Sequence, residues 1–277
     1  MRVLVTAAVA VLLVCALVLL FEHRFIFYPT RKPLVSWQPP GLDVEECAFS
    51  TRDGVRLHGW WHSGAGTDDA VAGPVLLWCH GNAGNITHRA DNAQMLADRG
   101  LAFFLFDYRG YGKSEGAPSE YGLYLDGEAA YDYLTRERGV EPHRIVCFGR
   151  SLGAAVALHV ALRRKTAGLV MESAFDSVPA MAVRMMPVLP VGLFLRTGFD
   201  NLAKIGRLEV PLLMIHGRQD RTVPIRHGRK VYDAAPEPKQ LYVIEGADHN
   251  DTYIVGAEPY FETLQRFCSE HCASGHE

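Results

Sequence analysis

The sequence predicts one α/β domain with a mostly parallel central sheet, and three observations carry that prediction. Strand-like apolar runs alternate with helical stretches through most of the 277 residues, the pattern of repeated βαβ units. The first two strand-like runs have no helix between them, which predicts a hairpin at one edge of the sheet. Residues 144–149 pass through a sharp glycine-flanked turn straight into an alanine- and leucine-rich helix, a strand–turn–helix junction.

From the amino terminus, residues 3–21 carry no charge and are mostly valine, leucine and alanine. That is close to the ~20 residues a membrane-spanning helix needs. A cleaved signal peptide is the competing reading, but it would have a shorter apolar region and a small-residue site. The run ends instead in Phe21-Glu22-His23-Arg24-Phe25. Residues 1–24 are therefore expected to be a retained transmembrane anchor, with the bilayer as partner. Arg2 precedes the run while Arg24, Arg31 and Lys32 follow it, so the membrane face stays open. Phe25, Phe27 and Tyr28 suit an aromatic interface, and Pro29, Pro33, Pro39 and Pro40 make 25–40 a stiff linker.

The domain proper is expected over 41–270, with 271–277 as a tail. Its roughly eight strands are placed near 47–50, 55–61, 74–79, 101–107, 144–149, 167–172, 211–216 and 240–245. Helices are expected near 87–99, 119–138, 151–164, 225–235 and 257–269. Residues 174–208 read as a short cap segment. A net charge of −3 with 21% charged residues leaves no basic field for nucleic acid. The 6 cysteines make no disulfide framework: Cys15 lies in the apolar run, Cys79 and Cys147 in core strands, and Cys47, Cys268 and Cys272 have no evident partners.

The junction at 149–153 is Gly149-Arg150-Ser151-Leu152-Gly153, a G-x-S-x-G between strand and helix. In that context the serine takes a strained conformation that lifts its hydroxyl above the sheet edge, and the glycines let strand and helix close around it. A serine needs a base, and the base needs an orienting acid. Folds with this elbow deliver them in the order serine, acid, histidine. Asp220 follows the strand at 211–216, and His249 follows the strand at 240–245. All three residues thus fall on the carboxyl edge of one sheet, where open α/β sheets bind ligands. Of the 12 histidines, His249 is the one in the last strand-end loop after the acid. Glu172, ending the strand at 167–172, is the rival acid. Asp248 and Asp251 lie too near His249 in sequence and are expected to shape its loop.

Backbone N–H groups of Leu152, after the serine, and of Asn82, after the strand at 74–79, are the expected oxyanion donors. Asp107-Tyr108-Arg109-Gly110-Tyr111-Gly112-Lys113-Ser114 superficially resembles a phosphate loop. It has Asp107 where the first glycine is required, so Asp107 and Arg109 are expected to hold that loop to its neighbours. No dinucleotide fingerprint, H-E-x-x-H or clustered C-x-x-C appears, so no cofactor and no metal is indicated.

Together H-G-N-A-G-N, Y-R-G-Y-G-K-S-E-G, G-R-S-L-G-A-A-V-A, H-G-R-Q-D-R-T-V-P and D-H-N-D-T resemble the α/β-hydrolase superfamily, more narrowly its membrane-anchored ABHD and Bem-type serine hydrolases. The resemblance spans about residues 25–268. It implies the α/β-hydrolase fold, with Ser151 as nucleophile, Asp220 as acid and His249 as base. The reaction expected is cleavage of an ester, thioester or amide through an acyl-enzyme, on a small-molecule or lipid-like acyl substrate. A prolyl-oligopeptidase-like peptidase and a catalytically idle scaffold are the alternatives. Three of the 7 methionines crowd into the cap, and Met181, Met185, Met186 and Leu189 are expected either to line an acyl pocket or to form an ordinary packed helix.

Overall fold

Apolar runs of five to seven residues bounded by turns become the strands of one eight-stranded sheet. The computed structural model describes residues 2–64, 73–187, 192 and 194–272, and the backbone alone of 3–5, 7–10, 12 and 13. In chain order it begins with α1 (Arg2–Leu20), α2 (Glu22–Ile26), β1 (Tyr28–Pro29), β2 (Glu45–Ser50) and β3 (Arg56–His62). Then come β4 (Val75–Cys79), β5 (Ala83–Gly84), α3 (Ala90–Ala97), β6 (Ala102–Asp107), α4 (Glu120–Arg136) and β7 (Ile145–Arg150). α5 (Leu152–Ala161), β8 (Gly168–Glu172), α6 (Val178–Met185), α7 (Asn201–Ile205) and β9 (Leu212–Gly217) follow. The chain closes with α8 (Ile225–Ala234), β10 (Lys239–Ile244), α9 (Thr252–Val255) and α10 (Ala257–His271).

The strand order is β10-β9-β8-β7-β4-β6-β3-β2. β2 and β3 form the expected antiparallel edge hairpin, β3 is also antiparallel to β6, and every other pair is parallel. β4, β6, β7, β8 and β9 are buried at every position because helices cover both faces. Alternate residues serve the two faces. Leu77, Phe104 and Cys147 pack in one core with Leu123 of α4 and Val156 of α5. Leu76, Phe103 and Val146 pack in the other with Leu96 of α3 and Leu264 and Phe267 of α10. Each such side chain stabilises the fold by roughly 1.5–3 kcal/mol. All 6 cysteines are unpaired thiols.

The amino-terminal run departs from expectation. It forms the 19-residue helix α1, yet among the described residues no helix is long and apolar enough to cross a membrane. α1 lays Cys15 and Val18 against Ala182 of α6, so part of its surface is covered by protein. Glu22 continues the contact: its carboxylate accepts the N–H groups of Arg196 (3.2 Å) and Thr197 (2.6 Å). Residues 25–40, expected as a stiff spacer, instead lie along the domain. β1 pairs in parallel with β5, Asn85 Nδ2 donates to the Thr30 and Lys32 carbonyls at 2.8 Å each, and Leu34 N–H donates to Thr87 Oγ1 at 2.8 Å.

Asp107 and Arg109 hold the glycine-rich loop after β6, as their positions imply. Asp107 Oδ1 accepts the Ile86 N–H at 2.9 Å, tying this loop to the one after β4. Arg109 donates through Nε to Asp126 (2.8 Å) and through Nη1 and Nη2 to Asp53 (2.8 and 3.0 Å). Burial pushes the Asp126 carboxyl up to about 6, against the pull of the Arg109 N–H and guanidinium. Arg109→Met strands a buried acid without its partner, and a loss of about 3–5 kcal/mol in urea unfolding is expected. A loss under about 1 kcal/mol, the scale of an exposed pair, would count against this account.

Candidate active site

β7 ends at Arg150, and the chain turns at Ser151 directly into α5. Ser151 has φ 52° and ψ −115°, a conformation that an L-residue enters only when its surroundings enforce it. Crowding that only glycine permits does the enforcing. A Cβ on Gly153 would stand 1.9 Å from the Cys79 carbonyl oxygen, and one on Gly149 would stand 2.3 Å from that of Gly153. The amino end of α5 is thereby pressed onto the end of β4, and Ser151 N–H donates to the Glu172 carbonyl at 2.8 Å.

The structure brings Ser151, His249 and Asp220 into one hydrogen-bonded line. Ser151 Oγ lies 3.1 Å from His249 Nε2, and His249 Nδ1 donates to Asp220 Oδ2 at 2.7 Å. A carboxylate can only accept, so the second contact keeps the ring proton on Nδ1 and leaves Nε2 to accept from the serine hydroxyl. Burial raises the Asp220 carboxyl, but hydrogen bonds from His216 and His249, the His249 charge and the Val223 N–H outweigh it and hold the group well below the usual carboxylate range. Asp220 Oδ1 accepts that Val223 N–H at 2.7 Å, and His216 Nε2 lies 3.4 Å from Oδ2.

The other sequence-derived residues are placed as follows. Leu152 opens α5, and the first N–H groups of a helix lack partners inside it. The loop after β4 runs beside the serine: a Cβ on Gly81 would lie 3.8 Å from Ser151 Cβ. The Asn82 side chain serves the amino-terminal segment. Its Oδ1 accepts from the Tyr111 hydroxyl (2.9 Å) and the Tyr28 N–H (3.3 Å), while Nδ2 donates to the Ile26 carbonyl. Glu172 sits apart from His249 Nδ1, accepting from the Tyr260 hydroxyl at 3.0 Å and from Thr252 Oγ1. Asp248 accepts from the N–H groups of His249 (2.8 Å) and Arg221 (2.9 Å), and Asp251 from that of Asp248 (2.7 Å), which shapes the histidine loop.

The cap methionines do not converge. Met181 packs on the main core and Met186 on the cluster of Cys15, Val18 and Ala182, while Met185 is 71% exposed. Leu189 lies outside the described residues. Among the described residues no cluster of histidine, cysteine or carboxylate side chains could hold a metal ion.

Two residues beside the site escaped the sequence reading. Arg150, the variable position before the serine, donates to the His249 carbonyl at 2.5 Å. Its place inside the motif was the available signal. His80 is wholly buried against Tyr108, with ring centroids 4.4 Å apart, and Nδ1 donates to the Gly81 carbonyl at 2.7 Å. Burial, with the Arg89 charge adding to it, pushes this imidazole down to about 3 against the opposite pull of that carbonyl.

A model of the family described as Hydrolase_4, serine aminopeptidase, S33, matches residues 72–193. An uncharacterized protein of Mycobacterium tuberculosis is 38% identical over 259 residues, which is 92% of this chain and 89% of that one. The α/β-hydrolase domain-containing protein WAV2 of Arabidopsis thaliana is 30% identical over 92% of this chain and 90% of its own. Among solved structures, an esterase of Pyrococcus furiosus superposes with a TM-score of 0.71 at 21% identity, covering 90% of this chain and 99% of that chain.

His80 gives the fold a pH dependence of definite sign. The unfolded imidazole takes up its proton near 6.5, whereas the folded one resists until about 3. Between those values the unfolded state binds more protons, so stability contributed by the neutral ring is full above 6.5 and is lost as pH falls. The slope reaches about 1.4 kcal/mol per pH unit. His80→Gln is expected to flatten that slope in urea titrations across the window. An unchanged slope would show that His80 titrates normally.

Proposed function

The chain belongs to the α/β-hydrolase superfamily, and on that premise we propose that it is a serine hydrolase that cleaves an ester, thioester or amide through an acyl-enzyme. The observation carrying this reading is the line from Ser151 Oγ through His249 to Asp220, 3.1 and 2.7 Å long, set on a strained turn at a helix amino terminus. Ser151 Oγ attacks the substrate carbonyl as His249 Nε2 takes its proton. The tetrahedral oxyanion is held by the N–H groups of Leu152 and Asn82, and donors of this kind are worth about 3–4 kcal/mol each. His249 then protonates the departing alcohol, thiol or amine, leaving the acyl group on Ser151. Water, deprotonated by the same nitrogen, releases the acid and restores the serine. Asp220 stays ionised throughout, orienting the ring and stabilising the imidazolium.

Acyl or lipid-like substrates are the favoured class, in keeping with an esterase among the structural neighbours. The aminopeptidase description of the matching family model favours a second reading, hydrolysis of aminoacyl or peptide amides. An idle scaffold is disfavoured, because a binding protein has no use for an aligned base and a strained serine. Residues 3–21 carry no charge, and although no described helix is long and apolar enough to cross a membrane, they hold the enzyme at a bilayer in this proposal. The protein should float with vesicles and resist carbonate extraction. Recovery in the carbonate supernatant would remove the anchor and leave the hydrolase reading untouched.

A fluorophosphonate should label the protein at Ser151, and Ser151→Ala should abolish labelling. Undiminished labelling of that variant would revive the scaffold. Asp220→Asn should lower turnover on the order of 10⁴-fold by misorienting His249. Near-normal turnover would mean that another acid serves. Acyl esters of graded chain length assayed beside aminoacyl amides decide the substrate class: preference for the amides overturns the esterase reading.

A further inference from the structure

The residue ahead of the serine carries a second tether between the two halves of the site. Arg150 is 5% exposed, and its Nη2 donates to the main-chain carbonyl of His249 at 2.5 Å and to Asn250 Oδ1 at 3.5 Å. Its Nε lies 3.7 Å from Oε1 of the fully buried Glu172. Glu172 is itself held by Thr252 and Tyr260, and its own carbonyl receives the Ser151 N–H at 2.8 Å. The main-chain bonds of the serine and the histidine therefore end on the two partners of one buried ion pair, at the Glu172 carbonyl and the Arg150 guanidinium. The His249 main chain is held on both sides, since its N–H donates to Asp248 Oδ1 at 2.8 Å.

Burying a guanidinium and a carboxylate stabilises a core less than well-packed apolar side chains of the same volume. The pair is better explained by what it holds. A charged donor makes a short, strong bond to a carbonyl, and the arginine fork can serve His249 and Glu172 at once where a lysine ammonium cannot. We propose that Arg150, braced by Glu172, is a positioning residue: it fixes the main chain of His249 so that Nε2 stays within reach of Ser151 Oγ. The proposal rests on the hydrolase reading above. A catalytic group misplaced by an ångström can cost about 100-fold in rate.

The test uses full-length protein and a short acyl ester. Arg150→Met should lower kcat about 100-fold with KM changed by less than about 2-fold. Arg150→Lys keeps the charge beside Glu172, and with it the fold, and should lose about 10-fold. The decisive measurement repeats both substitutions in a His249→Ala background. Acting through His249, they should lower the residual rate by less than about 3-fold there. An equal fall in both backgrounds marks a general structural role and overturns the inference, as does a wild-type kcat for both variants. Should Arg150→Met fail to fold, Arg150→Lys completes the cycle by itself. Full turnover by His249→Ala would defeat the hydrolase reading instead, a result that the single Arg150 variants cannot produce.

Discussion

The close approach of α5 to the end of β4 is the constraint on which the rest of the site depends. Gly153 has no room for a side chain between α5 and the Cys79 carbonyl, and Gly149 none between β7 and the first turn of α5. With those two positions open, the chain reverses within one residue and Ser151 absorbs the strain at φ 52°. The hydroxyl is then presented at the carboxyl edge of β7, next to the amino end of a helix. A Cβ at either glycine would push α5 outward and carry the serine with it.

Around that point the loops are held by buried polar groups, each of which fixes a strand-end segment to a neighbour. Asp107 ties the loop after β6 to the one after β4, and Arg109 ties it to Asp126 and Asp53. Arg150 and Glu172 do the same for the histidine loop. Such contacts cost desolvation, so they add little net stability. Their effect is geometric, because a loop with a charged bond at a defined atom has one conformation where an apolar contact would allow several.

The amino-terminal segment and the cap form a second layer over this edge. Four successive N–H groups, from Arg196 to Phe199, are received in pairs by two carboxylates. Glu22 comes from α2 and Glu120 from the first turn of α4. The return limb of the cap is thus fastened both to the domain and to the amino-terminal helices. Asn82, Asn85 and Thr87 bind residues 26–34 along the loop that borders the serine.

Local pattern determined much of this protein. Strand positions followed from short apolar runs, the edge hairpin from two runs without a helix between them, and the serine turn from two glycines in a strand–helix junction. These signals depend on neighbours in sequence, where periodicity and backbone permissiveness are written directly. The order serine, acid, histidine pointed to Asp220 and His249 because parallel strands deliver their ends to one edge. Tertiary structure alone decided what reaches across elements. Sequence left Glu172 a rival to Asp220; in the fold one carboxylate meets His249 Nδ1 and the other faces Arg150, Thr252 and Tyr260. It also turned residues 25–40 from a spacer into a strap, laid part of α1 on α6, and sent three neighbouring methionines in separate directions. Those outcomes depend on which surfaces the folded sheet brings within a few ångströms, and contacts between residues a hundred positions apart leave no local signature in the chain.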